Sequence, residues 1–115
     1  MSCNARSVVE PVTTDEFTQF VKRHRYVVVM ATASWCGPCR RIKPLFVSKM
    51  NELPMNVALV IVDIDKAPRL KNHLRVKSVP YIMNMINGEA MDVINTSNSS
   101  TIISFFSKTL IRVKA

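Results

Sequence analysis

Cys36 and Cys39 bracket Gly37 and Pro38, directly after Trp35 and downstream of an apolar run from Tyr26 to Ala31. That arrangement sets two thiols where a strand hands over to a helix. The first N–H groups of a helix lack intrahelical partners and carry the positive end of its dipole, so a sulfur at that point is stabilised as thiolate, the form that attacks disulfides. Cys36 is the expected nucleophile. Gly37 is expected to let the chain turn tightly, Pro38 sits in a first turn that needs no donor, and Cys39 comes round within reach of Cys36. The chemistry available to such a pair is reversible disulfide formation.

A structural zinc site would need four ligands. Beyond the pair the chain offers only Cys3, His24 and His73, with no second C-x-x-C, so redox chemistry is the better reading. His24 and His73 read as surface residues beside basic neighbours, and Cys3 as a free thiol on a mobile segment spanning residues 1–6. No metal and no cofactor is implied.

The elements that must position the thiols are legible from periodicity. Thr13-Thr14-Asp15-Glu16 has the form of a capping box, and Phe17, Phe20 and Val21 recur at helical spacing, predicting a helix near 14–24. Tyr26 to Ala31 reads as a central strand covered on both faces. Residues 38–52 read as a helix with Ile42, Leu45, Phe46 and Met50 inward, kinked at Pro44. A second buried strand spans 56–65, and Pro68 opens a short helix to about Leu74. Strands from Tyr81 to Ile86 and from Met91 to Asn95 flank Asn87-Gly88, a two-residue hairpin signal. Ser97 to Ser100 supplies an N-cap for a last helix whose face is Ile102, Ile103, Phe106 and Leu110. Alternating strands and helices followed by a hairpin and a helix predict one α/β domain over residues 1–115, its mixed sheet carrying helices on both faces.

With 115 residues, 48% of them hydrophobic, the chain can bury one core without disulfide staples. No apolar run approaches a membrane span, and the first residues have no apolar leader, so the sequence reads as soluble and unsecreted. A C-x-x-C in such a chain suits a reducing compartment, with the cytoplasm as the default. Sixteen Lys and Arg against eight Asp and Glu give a net charge of +8. The basic residues cluster at Lys22-Arg23-His24-Arg25, at Arg40, Arg41 and Lys43, and from Lys66 to Lys77. Such clusters are either a solvated face or a dock for an acidic protein or nucleic acid. Aromatics make up only 7% of the chain, and nothing resembles a stacking motif or a recognition helix.

The residues Trp35-Cys36-Gly37-Pro38-Cys39 resemble the active-site motif of the thioredoxin family, with a Gly-Pro pair like that of the thioredoxin branch rather than of glutaredoxins or disulfide isomerases. The element order is similar too, from about Ser7 to Val113. The resemblance implies a thioredoxin fold, a central mixed β-sheet of about five strands flanked by about four helices. It implies that Cys36 forms a mixed disulfide with substrate and that Cys39, the more buried thiol, resolves it. Val79-Pro80 resembles the family's cis-proline element beside the cysteines, although the residues alone also fit a plain strand-initiating proline. Trp35, Gly37, Pro38, Val79 and Pro80 would then line the substrate groove, Trp35 being otherwise a packing residue at its rim.

Departures from the family pattern are informative. The buried aspartate usual six residues before the first cysteine is Met30 here, and its usual lysine partner is Ile61. Both members of the pair have become apolar together, which avoids burying one charge alone. Proton transfer from Cys39 is then expected to rely on water or a substrate group. The usual aromatic four residues before the first cysteine is Thr32, and the usual glycine beyond the hairpin is replaced around Thr96, which is expected to narrow the groove.

Two functions follow as expectations. One is a thiol-disulfide oxidoreductase that reduces protein disulfides as a monomer and is recycled by a thioredoxin-reductase-like flavoprotein. The other is a binding module whose basic surface docks an acidic partner, redox activity being secondary. A peroxidase-like or glutathione-dependent enzyme ranks last, since the motif does not fit a glutaredoxin and no glutathione-site signature stands out.

Overall fold

The computed structural model describes residues 5–114, so Cys3 lies outside the described residues. The elements run β1 (Val8–Val9), α1 (Thr14–Arg23), β2 (Tyr26–Thr32), α2 (Gly37–Glu52), β3 (Val57–Asp63), α3 (Pro68–His73), β4 (Tyr81–Ile86), β5 (Glu89–Ile94) and α4 (Ser99–Lys114). Among the described residues they form one five-stranded sheet in the order β1-β3-β2-β4-β5. β1 and β2 pair with β3 in parallel, whereas β4 runs antiparallel to both β2 and β5. The continuous apolar run of β2 is explained by that central position, since side chains pointing to either face are buried.

Alternate residues of β2 divide the core in two. Val27, Val29 and Ala31 pack with Phe17, Phe20 and Val21 of α1 and Leu70 of α3. Val28 and Met30 pack on the other side with Ile42, Phe46 and Met50 of α2 and Ile102, Phe105 and Phe106 of α4. A period of two in the strand thus meets a period near 3.6 in the helices.

Local signals explain the boundaries. The Thr13–Glu16 capping box is formed, with the Glu16 N–H donating to Thr13 Oγ1 at 3.0 Å and the Thr13 N–H donating to Glu16 Oε1 at 3.1 Å. Asn87 and Gly88 both have positive φ, 52° and 82°, as the two-residue hairpin requires. Asn98 accepts from the N–H of Thr101 at 3.0 Å and caps α4. Helix α2 continues through Pro44 to Glu52.

Several expectations need correction. The two-residue β1 is too short to show periodicity, and it pairs Val8 with Leu59 and Val9 with Val60. β5 begins at Glu89 rather than Met91, because the hairpin tightens around its turn and absorbs a register shift at Asn84/Met85. In α4 the inward residue is Phe105, 2% exposed, not Ile103, 41% exposed. In α2 Leu45 is only half-buried. Arg6, inside the segment expected to be mobile, donates to the carbonyls of Met50, Leu53, Pro54 and Val57. It satisfies oxygens left open where α2 ends.

Candidate active site

The pair sits where β2 ends and α2 begins. Cys36 is the N-cap of α2, its N–H donating to the Ala33 carbonyl at 3.1 Å and its carbonyl accepting from Arg40 at 3.2 Å. The N–H of Cys39 donates to Cys36 Sγ at 3.1 Å. The sulfur thus occupies the place a Ser or Asp oxygen takes in an ordinary helix cap, facing the unpaired donors of the first turn. In the dithiol form the same donors favour the Cys36 thiolate.

The two cysteines are joined as a disulfide with Cα atoms 5.3 Å apart. Cys39 was expected to be the more buried of the two, but the exposures are 3% for Cys36 and 4% for Cys39. The chain before β4 covers Cys36, whose Sγ lies 3.8 Å from the Val79 carbonyl oxygen. Gly37 is an ordinary first helical residue, and a Cβ there would meet only the end of the Arg40 side chain at 4.0 Å. The turn therefore does not depend on glycine; Arg40 supports it from outside by donating to the Ser34 carbonyl at 2.7 Å.

The Val79–Pro80 peptide bond is cis. Pro80 is buried, and Val79, Gly37 and Pro38 are half-buried around the disulfide. Trp35 is 64% exposed. Its indole Nε1 donates to Asp65 Oδ2 at 2.8 Å. The loop carrying Asp65 is itself folded around Asp63, whose Oδ1 accepts from the N–H groups of Asp65 at 2.9 Å and Lys66 at 3.3 Å.

Two residues of this arrangement escape the sequence reading. Asp65 holds the Trp35 ring, and the Asp-x-Asp spacing before a short helix is the only signal for it. Asn95 follows β5 and donates to the carbonyls of Pro80 at 2.8 Å and Ser78 at 3.1 Å, while its oxygen accepts from the Ser78 hydroxyl at 2.8 Å. No local pattern points to that role, because the partners are 15 and 17 residues away.

Behind the disulfide, Met30 and Ile61 are direct partners on the parallel strands β2 and β3. Met30 is 7% exposed. Cys39 is covered, yet a cleft open to solvent runs along it. A cavity of about 310 Å³ remains, with Cys39, Met30 and Ile61 in its walls and Lys43 and Glu10 among its lining. The basic run Lys22 to Arg25 lies at the opposite end of the sheet, where β2 starts, beside a cavity of about 430 Å³. It takes no part in the site.

Comparison with known proteins agrees with this geometry. The family model described as Thioredoxin matches residues 8–108. Thioredoxin-3 of Dictyostelium discoideum is 36% identical over 96 residues, covering 84% of this chain and 91% of that protein. Thioredoxin-2 of Pyricularia oryzae is 32% identical over 98 residues, again 84% of this chain, but the match spans only 57% of that longer protein. Among solved structures, the thioredoxin of Plasmodium falciparum superposes with a TM-score of 0.78 at 24% identity, covering 89% of this chain and 97% of that one. Mitochondrial thioredoxin 3 of Saccharomyces cerevisiae superposes at 0.76 with 21% identity, covering 90% of this chain and 94% of that one. Both structures share the fold.

Proposed function

The chain belongs to the thioredoxin family, and from that premise we propose that Cys36 attacks the substrate disulfide and Cys39 resolves the resulting mixed disulfide. The protein is a thiol-disulfide oxidoreductase, a protein-disulfide reductase of thioredoxin type. In the first step the Cys36 thiolate forms a bond to one substrate sulfur, and the electron pair of the broken disulfide leaves on the other, which takes up a proton. In the second, Cys39 loses its proton and attacks Cys36 Sγ. The substrate sulfur bound to Cys36 leaves with the electron pair of that bond and is protonated, and the substrate is reduced by two electrons as the Cys36–Cys39 disulfide forms. The observation that carries the assignment is the N-cap position of Cys36, with its Sγ facing the Cys39 N–H at 3.1 Å.

Substrate backbone is assigned to the cis Val79–Pro80 segment, with Trp35, Gly37 and Pro38 forming the opposite wall. The Val79 carbonyl at 3.8 Å from Cys36 Sγ supports that assignment. Arg40 and Arg41, exposed on the first turns of α2, and Lys66, next to the Trp35-bound Asp65, have no carboxylate partner within ion-pair distance among the described residues. They favour protein disulfides flanked by acidic residues. A thioredoxin-reductase-like flavoprotein in a reducing compartment, the cytoplasm, restores the dithiol to a monomeric chain. Dithiothreitol-coupled reduction of insulin tests the activity. Turnover that disappears in Cys36→Ser supports the reading, and turnover that survives in that variant overturns it.

A further inference from the structure

Cys39 must shed a proton to attack Cys36, and the position from which a carboxylate would take it holds the thioether of Met30. The cavity lined by Met30 and Ile61 changes what can serve instead. It reaches Cys39 on one side and carries charged groups from two separate segments on its walls, Lys43 of α2 and Glu10 just after β1. Lys43 is four residues after Cys39 in the same helix, so the two share a face. Side chains of a helix lean toward its N-terminus, which aims the Lys43 stem back over Cys39. Glu10 follows Val9, the partner of Val60. This sets it beside Ile61, so the row Glu10, Ile61, Met30 crosses the sheet from its open edge to the resolving thiol. Both charged residues are exposed, and each is in contact with solvent as well as with the cavity.

We propose that Glu10 accepts the Cys39 proton through water in this cavity while the Lys43 ammonium stabilises the Cys39 thiolate. The inference rests on Cys39 being the resolving thiol. A space of about 310 Å³ holds several waters, since one water needs about 30 Å³ of liquid volume together with polar partners, here Thr32, Lys43 and Glu10. The proton passes from Cys39 Sγ to the Glu10 carboxylate and on to bulk solvent. The electron pair left on Cys39 forms the bond to Cys36, and the departing substrate sulfur carries away the pair of the mixed disulfide and is protonated in turn.

The other groups near Cys39 are placed elsewhere. On α2 Arg40 donates to the Ser34 carbonyl at 2.7 Å, the exposed Arg41 does not line the cavity, and the remaining titratable neighbour is Cys36 itself. The residues facing the cavity from β2 are Met30 and Thr32 and from β3 Leu59 and Ile61, none of which titrates. Asp63, the register partner of Thr32, directs its carboxylate at the N–H groups of Asp65 and Lys66. The segment before β4 presents the Val79 carbonyl.

Stopped-flow reaction of the reduced protein in a Cys3→Ser background, which removes the third thiol, with neutral dithiodipyridine separates the two steps, because each releases one thiopyridone. Glu10→Gln should slow the second release about tenfold near neutral pH, less than the roughly hundredfold or more of a directly placed general base because the proton travels through water, and leave the first unchanged. Glu10→Asp should restore part of the rate. Lys43→Met should move the pH midpoint of the second release upward and leave that of the first in place. A second release whose rate and pH profile are unchanged in both Glu10→Gln and Lys43→Met overturns the proposal. Cys39→Ser separates the two readings: a second release that survives in it refutes the resolving role of Cys39, whereas one that requires Cys39 but ignores Glu10 and Lys43 refutes the proton route alone.

Discussion

Asn95 and Pro80 are joined by a 2.8 Å hydrogen bond from the Asn95 amide to the Pro80 carbonyl. The end of the hairpin thereby holds the segment that lies against Cys36. Asn95→Ala removes this bond and the two to Ser78, each worth about 1 kcal/mol net. Insulin reduction should fall several-fold, and unfolding in urea should lose about 1–3 kcal/mol. Asn95→Asp keeps only the acceptor and should fall between the two. Full activity in Asn95→Ala would show that the segment is held without it.

Trp35 is exposed yet fixed, through the 2.8 Å bond to Asp65. Asp65→Ala frees the ring without opening the core. The expected result is a rise in KM for protein substrates of about threefold, while the unfolding free energy moves by less than about 0.5 kcal/mol, as for surface changes. Circular dichroism melts beside substrate titrations check both. A loss of stability matching the loss of activity would contradict a role confined to the indole.

Asp92 on β5 accepts from Arg112 of α4 through Nε at 2.6 Å and Nη2 at 3.1 Å, and from Asn84 Nδ2 at 2.9 Å. These bonds, Arg112 first, hold its carboxyl below the ordinary 3.8 despite an opposing desolvation effect. A depressed folded-state pKa contributes stability that is complete above the unfolded value and is lost as pH falls through the folded value. The urea midpoint should therefore drop below about pH 4, and in Asp92→Asn that part of the drop should disappear. An unchanged acid limb in Asp92→Asn would assign it to other carboxylates.

What could be read from the sequence followed local chemistry. The C-x-x-C with its strand and helix, the capping box at Thr13 and the Asn87-Gly88 turn are each determined by residues within a few positions, and all three form. β1 escaped because two residues cannot show a period. Asn95, Asp65 and the Arg6 bonds to the end of α2 escaped because their partners are 15 to 51 residues away, joined only once the sheet order is known. The inward turn of Phe105 in place of Ile103 reflects the rotation of α4 on the sheet, which sequence periodicity fixes only to within about one position.

Met30 and Ile61 face each other in register, so a carboxylate and an ammonium introduced together would be neighbours. Met30→Asp alone should destabilise by about 3 kcal/mol, the effect of a buried charge without a partner. Adding Ile61→Lys should recover much of this and should raise insulin turnover near neutral pH. Calorimetry and the pH–rate profile check the pair. An unchanged profile in the folded double variant would show that proton transfer from Cys39 does not limit turnover.

The central claim is that Cys36 attacks and Cys39 resolves. Its most direct test is intact-mass analysis after mixing reduced Cys39→Ser with a disulfide-containing peptide. A stable adduct of one peptide half on Cys36, mapped by digestion, is expected, and none on Cys39 in Cys36→Ser under the same conditions. An adduct on Cys39 in Cys36→Ser, with none on Cys36 in Cys39→Ser, would contradict it.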